Sequence, residues 1–341
     1  MLLYLAALSL ALLGLFRRPP LAYLTAFFQV RHLLFPLALP LAAVGIWRGE
    51  FALTLLSGVA LGAGWVRCGA MRAPARSQHC ALAAERQPDL RVATLNAGDH
   101  RSDPAQICSW AAECGADVIC LQEFHAGHVA LLEQELGTLY PHQVLFGDGM
   151  AGIGVLSRKP ILAHDLVRMR SRLPFLKLDL DVDGTPLRLI AVHPFASLAI
   201  LGKASSAHQD MLDLAREAGQ SEVPCLLVGD MNTTDQSSTY DALAEAGLTD
   251  AWTESGVGWA PTFPVAGRYM HLPVPPVVRI DFVWYSDRFE VCSYETGPDA
   301  SSDHLPVLVS LAWRGRGTSP GEQDQAQDLI TQLVPLAPAE L

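Results

Sequence analysis

Three absences bound this 341-residue chain: it has no lysine- or arginine-rich run, no paired cysteine motif, and no charge at all over three long stretches near its start. Non-specific nucleic-acid binding is driven by Lys and Arg displacing counterions, so the missing basic run argues against a protein that grips long DNA or RNA. The charge is also unevenly placed. Residues 1–88 hold eight Lys/Arg and two Asp/Glu, whereas 89–341 hold 16 basic and 33 acidic residues, a net of −17. Seven cysteines (Cys68, Cys80, Cys108, Cys114, Cys120, Cys225, Cys292) make an odd number without a CxxC pair. A disulfide framework and a zinc ribbon are thereby excluded, and Cys120 and Cys225, inside apolar runs, read as small buried hydrophobes.

The uncharged stretches are Met1–Phe16, Leu33–Trp47 and Phe51–Val66. Each is a little short of the ~20 residues that cross ~30 Å of hydrocarbon, a gap that flanking apolar residues and the snorkelling Arg17, Arg18, Arg31 and Arg67 can close. No basic n-region or A-x-A site marks the first run as a signal peptide. The expectation is therefore three transmembrane helices within residues 1–66, a multi-pass cell-membrane protein with the bilayer as partner. Arginine placement puts the following domain on the cytoplasmic side. Residues 67–88 read as a linker, 89–313 as the main folded domain and 314–341 as a low-complexity tail.

Within 89–313, strand-like runs fall near 91–96, 117–122, 151–157, 175–181, 187–192, 225–229, 280–285 and 306–312. Helical patterns lie between them, one opened by Asp103-Pro104 and stopped by Gly115. Periodicity alone gives an α/β or α+β fold.

Six polar clusters sit at or just past the ends of those apolar runs: Thr94-Leu95-Asn96, Leu121-Gln122-Glu123, His193, Gly229-Asp230-Met231-Asn232, Arg279-Ile280-Asp281 and Ser302-Asp303-His304. Polar residues at strand ends on an apolar scaffold are where a sheet protein builds a site. Carboxylates, amides and imidazoles together suit a hard cation and phosphate cleavage. In this order, closing on Ser302-Asp303-His304-Leu305-Pro306, the clusters resemble the endonuclease/exonuclease/phosphatase superfamily over roughly residues 89–313. The layout of three short spans before the domain resembles a membrane-attached bacterial branch, which places the domain outside the cell and conflicts with the arginine pattern.

The resemblance implies a fold of two packed mixed β-sheets flanked by helices, a four-layer DNase-like sandwich, here preceded by the transmembrane region. It implies Mg²⁺, with Mn²⁺ as the alternative, held by Glu123 with Asn96 and Asp303. Where some relatives carry an additional Asp ligand, this chain has Gly98. Asp230 is cast as the base that activates water and Asn232 as its orienting partner; two apart in extended chain, they face one way. His304 contacts phosphate and is oriented by Asp281, and His193 serves phosphate binding or the leaving group. Arg170 or Arg172 can clamp a phosphate by its fork. The expected activity is hydrolysis of a phosphoester or phosphoanhydride in a lipid-linked or small phosphorylated substrate. A tethered nuclease is the alternative and a catalytically silent scaffold the remote one.

Overall fold

A computed structural model describes residues 1–16, 30–70, 87–196, 201–256, 258–269, 271 and 273–314, without the side chains of 68–70 and 201–205. The apolar stretch at 19–29, most of the 67–88 linker and the 315–341 tail lie outside the described residues.

Twelve strands among the described residues form two six-stranded sheets. The first runs in the order β11 (Phe289–Thr296), β12 (Val307–Trp313), β1 (Leu90–Asn96), β2 (Val118–His125), β4 (Asp148–Ser157), β3 (His142–Phe146). The second runs β5 (Ile161–Arg168), β6 (Pro174–Val182), β7 (Thr185–Val192), β8 (Cys225–Asp230), β10 (Asp281–Tyr285), β9 (Thr249–Asp250). Each sheet has one parallel pair, β1–β2 and β7–β8, and is otherwise antiparallel. Both are thus mixed, as expected.

Alternation along the central strands produces the layers. In β1, Leu90 and Val92 join the core between the sheets, while Ala93 and Leu95 face a second core under helices. Val92, Cys120, Leu178, Leu189, Val228 and Val309 fill the inter-sheet core. Ile107 and Trp110 from one helix (Pro104–Glu113) and Leu132 from another (Ala126–Leu136) cover the outer face of the first sheet. Met211 and Leu214 from Leu201–Gly219 and Leu243 from Ser238–Glu245 cover the second. The helix at 104–113 starts as its sequence dictates: Asp103 accepts the Ala105 N–H at 3.0 Å, Pro104 occupies the first turn, and Gly115 at φ +71° follows its end.

The N-terminal region corrects the transmembrane expectation. Among the described residues, no helix is long and apolar enough to cross a membrane. Helix α1 (Leu2–Leu15) has 14 residues and reaches about 21 Å. The second run is cut into α2 (Arg31–Leu34), a 3₁₀ turn holding Pro36, and α3 (Ala38–Arg48). Helix α4 (Phe51–Ala70) carries Arg67 in its last turn, and its uncharged part, 51–66, reaches about 24 Å against the ~30 Å needed. Three spans, multi-pass cell-membrane placement, a bilayer partner and the membrane-attached branch are all withdrawn on this ground.

Among the described residues, these helices meet the two-sheet domain at a polar junction. Arg31 Nε donates to Gln236 Oε1 at 2.6 Å, and its Nη1 donates to the carbonyls of Leu13 and Phe16 at the end of α1. Gln236 Nε2 donates to His32 Nδ1 at 2.8 Å, and His32 Nε2 meets the Val277 carbonyl at 2.9 Å. One acceptor and one donor nitrogen describe a neutral ring, in keeping with the burial that lowers the pKa of His32.

Candidate active site

The topology gathers the site. Parallel pairing puts the C-terminal ends of β1 and β2 side by side, and likewise β7 and β8. Their antiparallel neighbours β12 and β10 start at the same end. Asn96 is the last residue of β1 and lies opposite Gln122; Asp281, the first of β10, lies directly opposite Asp230, the last of β8. His193 follows β7, and Asp303-His304 precede β12. A register shift between Gln122 and Phe124 gives Glu123 φ +48°, an uncommon backbone for a glutamate, turning it out of the ladder. Gly229, at φ +144°, lets β8 approach β7: a Cβ there would lie 2.1 Å from the Val192 carbonyl oxygen.

Seven of the expected residues come together and are nearly all below 5 % exposed; Glu123, at 8 %, is the most open. The Asn96 amide nitrogen donates to Glu123 Oε1 at 3.1 Å and to Asp230 Oδ2 at 2.9 Å, while its oxygen accepts the Gly98 N–H. Asn96 therefore ties two carboxylates together, with its oxygen turned to the backbone. His193 Nε2 lies 3.3 Å from Glu123 Oε1 and 3.7 Å from Asp230 Oδ2. His304 Nδ1 lies 3.0 Å from Asp281 Oδ2, and its Nε2 is 3.8 Å from Asp230 Oδ2. Phe263 stands 4.8 Å from the His304 ring, with Tyr269 edge-on behind it at 4.9 Å.

Asn232 departs from the extended geometry expected of it. At φ +47° it turns back, so its N–H donates to Asp230 Oδ1 at 2.8 Å and its amide nitrogen to the Pro194 carbonyl. It orients Asp230 through its backbone. Arg170 and Arg172 lie apart from this cluster in their described contacts. Arg170 pairs with Asp210 and Asp213, and exposed Arg172, at φ +68°, closes a turn on Met169. The basic residue that does reach the cluster is Arg101, which the sequence reading missed. Its Nη2 is 3.0 Å from Glu123 Oε2 and its Nε 3.2 Å from Asp303 Oδ2. It arrives on a 3₁₀ turn (Asp99–Arg101) set by Gly98 at φ +74°, and a lone loop arginine carries no periodic signal.

Four buried carboxylates share this space with two imidazoles and one guanidinium. Burial alone raises Glu123, but the His193 hydrogen bond and charge, then Asn96 and Arg101, outweigh it and bring the pKa down to about 2. Asp230 goes the other way, to about 6, pushed up by burial and the Asp281 charge against the pull of His304 and His193. Burial lowers His304, yet Asp281 and Asp230 raise it to about 10; His193 is likewise raised by Glu123 and Asp230 in spite of burial. Asp281 Oδ1 and Asp303 Oδ1 are buried with no hydrogen-bond partner, a costly state for a carboxylate oxygen. Glu123, His193 and Asp230, and also Asp230, Asp281 and His304, bring ligand atoms within 4.8 Å of one another. Oxygen-rich donors with orphaned lone pairs fit a hard divalent cation.

A pH dependence of stability follows for the chelated protein. Asp230 binds its proton more tightly folded than unfolded, so its stabilisation is present below the ordinary 3.8 and lost as pH rises through about 6. His304 stabilises fully below 6.5 and loses that contribution as pH rises through about 10. The melting temperature of chelated protein is expected to fall across both windows. In thermal melts, His304→Gln should flatten the upper one; an unchanged slope there would remove His304 from the account.

Comparisons with known proteins bear on the family and the fold. Residues 93–304 match the model of the family described as Endonuclease/Exonuclease/phosphatase family. The chain is similar to a solved endonuclease/exonuclease/phosphatase from Beutenbergia cavernae, at 23 % identity and TM-score 0.53, covering 68 % of this chain and 74 % of that one. It is also similar to a mannosyl-6-phosphatase from Bacteroides thetaiotaomicron, at 18 % identity and TM-score 0.53, covering 66 % and 100 %. Truncated TDP2 from Caenorhabditis elegans matches at 17 % identity and TM-score 0.50, covering 65 % and 97 %. A comparison with curated proteins found no match.

Proposed function

Because the chain belongs to the endonuclease/exonuclease/phosphatase family, whose members hydrolyse phosphoesters, we propose that it is a Mg²⁺-dependent phosphoesterase acting on a small phosphorylated molecule. The observation that carries this is the buried set of Glu123, Asp230, Asp281 and Asp303, in which two carboxylate oxygens have no partner. Glu123 and Asp303 would hold the cation, and Asn96 would fix Glu123 through its amide nitrogen. When bound, Mg²⁺ supplies charge neutralisation at the phosphoryl oxygens.

The protein's own groups divide the remaining work. Asp230, with a pKa near 6 and fixed by the Asn232 N–H and the Asn96 amide, accepts a proton from water. His304, kept protonated by Asp281, donates to a phosphoryl oxygen, and His193 donates to phosphate or the leaving group. Phe263 and Tyr269 wall the His304 side with aromatic surface.

The −17 charge of residues 89–341 supports a small substrate over a long polyanion. Hexose phosphates enter the test because of the mannosyl-6-phosphatase likeness. Mg²⁺-dependent phosphate release from a panel of sugar phosphates should be measured with plasmid nicking in parallel, using Glu123→Gln as control for both. Release without nicking supports the proposal; nicking alone would make the protein a nuclease.

Arg101 gives a second expectation. Its guanidinium sits on the carboxylates assigned to the cation and is 45 % exposed on its side chain, so it competes weakly. Arg101→Ala is expected to lower the Mg²⁺ concentration for half-maximal activity by about twofold to fivefold, the range of an exposed ion pair. A rise would show that Arg101 helps to assemble the site.

A further inference from the structure

Beside the catalytic cluster lies a donor set of different chemistry. Asp99 and His100 sit on the 99–101 turn after β1, and His125 ends β2, two residues beyond Glu123. Their ligand atoms all fall within 4.8 Å of one another. The imidazoles of His100 and His125 stack at 4.5 Å, and His100 Nε2 lies 3.8 Å from Asp99 Oδ1. That Asp99 oxygen is buried without a hydrogen-bond partner. We infer that Asp99, His100 and His125 form a second cation site, separate from the catalytic centre, for a divalent transition ion such as Zn²⁺.

The donors select the ion. Two imidazoles and one carboxylate with open positions suit Zn²⁺ and its first-row neighbours, whereas the oxygen-rich cluster at Glu123 suits Mg²⁺. A fourth imidazole or carboxylate is not needed, because water completes such sites. His100, with 78 % of its side chain exposed, has room to turn its ring nitrogen toward the other two. His128 packs edge-on against His125 at 4.3 Å but serves as a support: its Nδ1 accepts the His125 N–H at 3.5 Å and its Nε2 meets Ser102 Oγ at 3.2 Å. With both nitrogens engaged, and burial and the His125 charge depressing its pKa to about 4, His128 holds the His125 backbone while staying neutral.

A structural consequence distinguishes real ligation from loose association. In the structure His125 Nδ1 accepts the Gly127 N–H at 3.0 Å, capping the helix at 126–136. A metal on Nδ1 takes that lone pair. A metal on Nε2 moves the ring proton to Nδ1. Either way the Gly127 amide loses its acceptor, and its hydrogen exchange should quicken on loading.

The test is Zn²⁺ calorimetry on the full chain in excess Mg²⁺, so that the catalytic cluster is already filled, with amide exchange read at Gly127. The wild type is expected to bind one equivalent of Zn²⁺, His100→Ala to weaken it by about tenfold or more, the loss of a ligand, and His125→Ala to abolish it. His100 is exposed, so its removal leaves the fold intact and keeps the result readable. Equal Zn²⁺ affinity in wild type and His100→Ala, or unchanged Gly127 exchange on loading, would overturn the assignment. Neither readout depends on phosphoesterase activity, so failure of the catalytic proposal leaves this one standing.

Discussion

Asp230→Asn is expected to lower kcat by about a hundredfold to ten-thousandfold, the scale of general base catalysis, while the melting temperature changes little. Asn keeps one oxygen, for the Asn232 N–H that now reaches Asp230 Oδ1 at 2.8 Å, and gives up the bond from the Asn96 amide to Oδ2 at 2.9 Å. It cannot accept a proton from water at neutral pH. The stability half of the result comes from the pKa. Burial and Asp281 hold Asp230 at about 6, so folding disfavours the charged carboxylate that is nonetheless present at pH 7. A neutral amide removes that penalty, which offsets the lost Asn96 bond, so function falls far more than stability. Glu123→Gln should be similarly inactive, for loss of a cation ligand. Steady-state kinetics with melting curves decide the matter, and substantial turnover in both variants would dismantle the site assignment.

Arg279→Met is expected to destabilise the protein by about 3–5 kcal/mol, the cost of removing one partner from a buried ion pair. Arg279 is 3 % exposed and makes a bidentate pair with Asp250, Nη1–Oδ1 3.0 Å and Nη2–Oδ2 2.7 Å. Its guanidinium lies between the rings of Trp252 and Phe282, at 4.5 and 4.4 Å, and is 3.8 Å from Asp235. Met fills the aliphatic volume but leaves Asp250 and Asp235 without their cation. Burial already pushes the Asp235 pKa up. Denaturant unfolding of Arg279→Met should therefore show a large drop in midpoint, and Asp250→Leu on top of it should recover part of the loss. A drop below about 1 kcal/mol would mean the pair contributes no more than a surface one. Arg279 immediately precedes Ile280-Asp281, so this pair anchors the segment that carries the His304 partner.

The eight strands expected from sequence are all present, and the four it missed share one property. β3, β5, β9 and β11 are the outermost strands of the two sheets. Central strands bury most of their residues and carry a sequence signal, either a nearly continuous apolar run, as in β8, or a strict alternation, as in β6. Edge strands are half exposed: β5 reads ILAHDLVR and has no fully buried residue. Nothing in such a stretch separates it from a polar loop. The site divides on similar lines. Residues tied to strand ends, from Asn96 to His304, were legible because strand and polar residue are adjacent in sequence. Arg101 and the Asp99–His100–His125 group depend on a left-handed turn at Gly98 and on a bulge at Glu123, neither of which has a hydropathy signature. The error at the N-terminus has a different source. Counting uncharged residues gave three spans, but Pro36 and the short reach of the helices govern what those residues can cross.

The order in which the chain is laid down matters for when it can act. β12 lies between β11 and β1 and comes last among the twelve strands, while β1 comes first. Asp303 and His304 stand just ahead of β12, and Ser302 Oγ donates to the Asn96 carbonyl across 206 positions. A ribosome adding about 5–20 residues per second needs roughly 10–40 s to pass from Asn96 to His304. Glu123 and then Asp230 are added during that interval, and only Asp303 and His304 at its end complete their surroundings. Hydrolytic competence is thus withheld until Ser302–His304 have been added, and a product truncated before β12 would be inert.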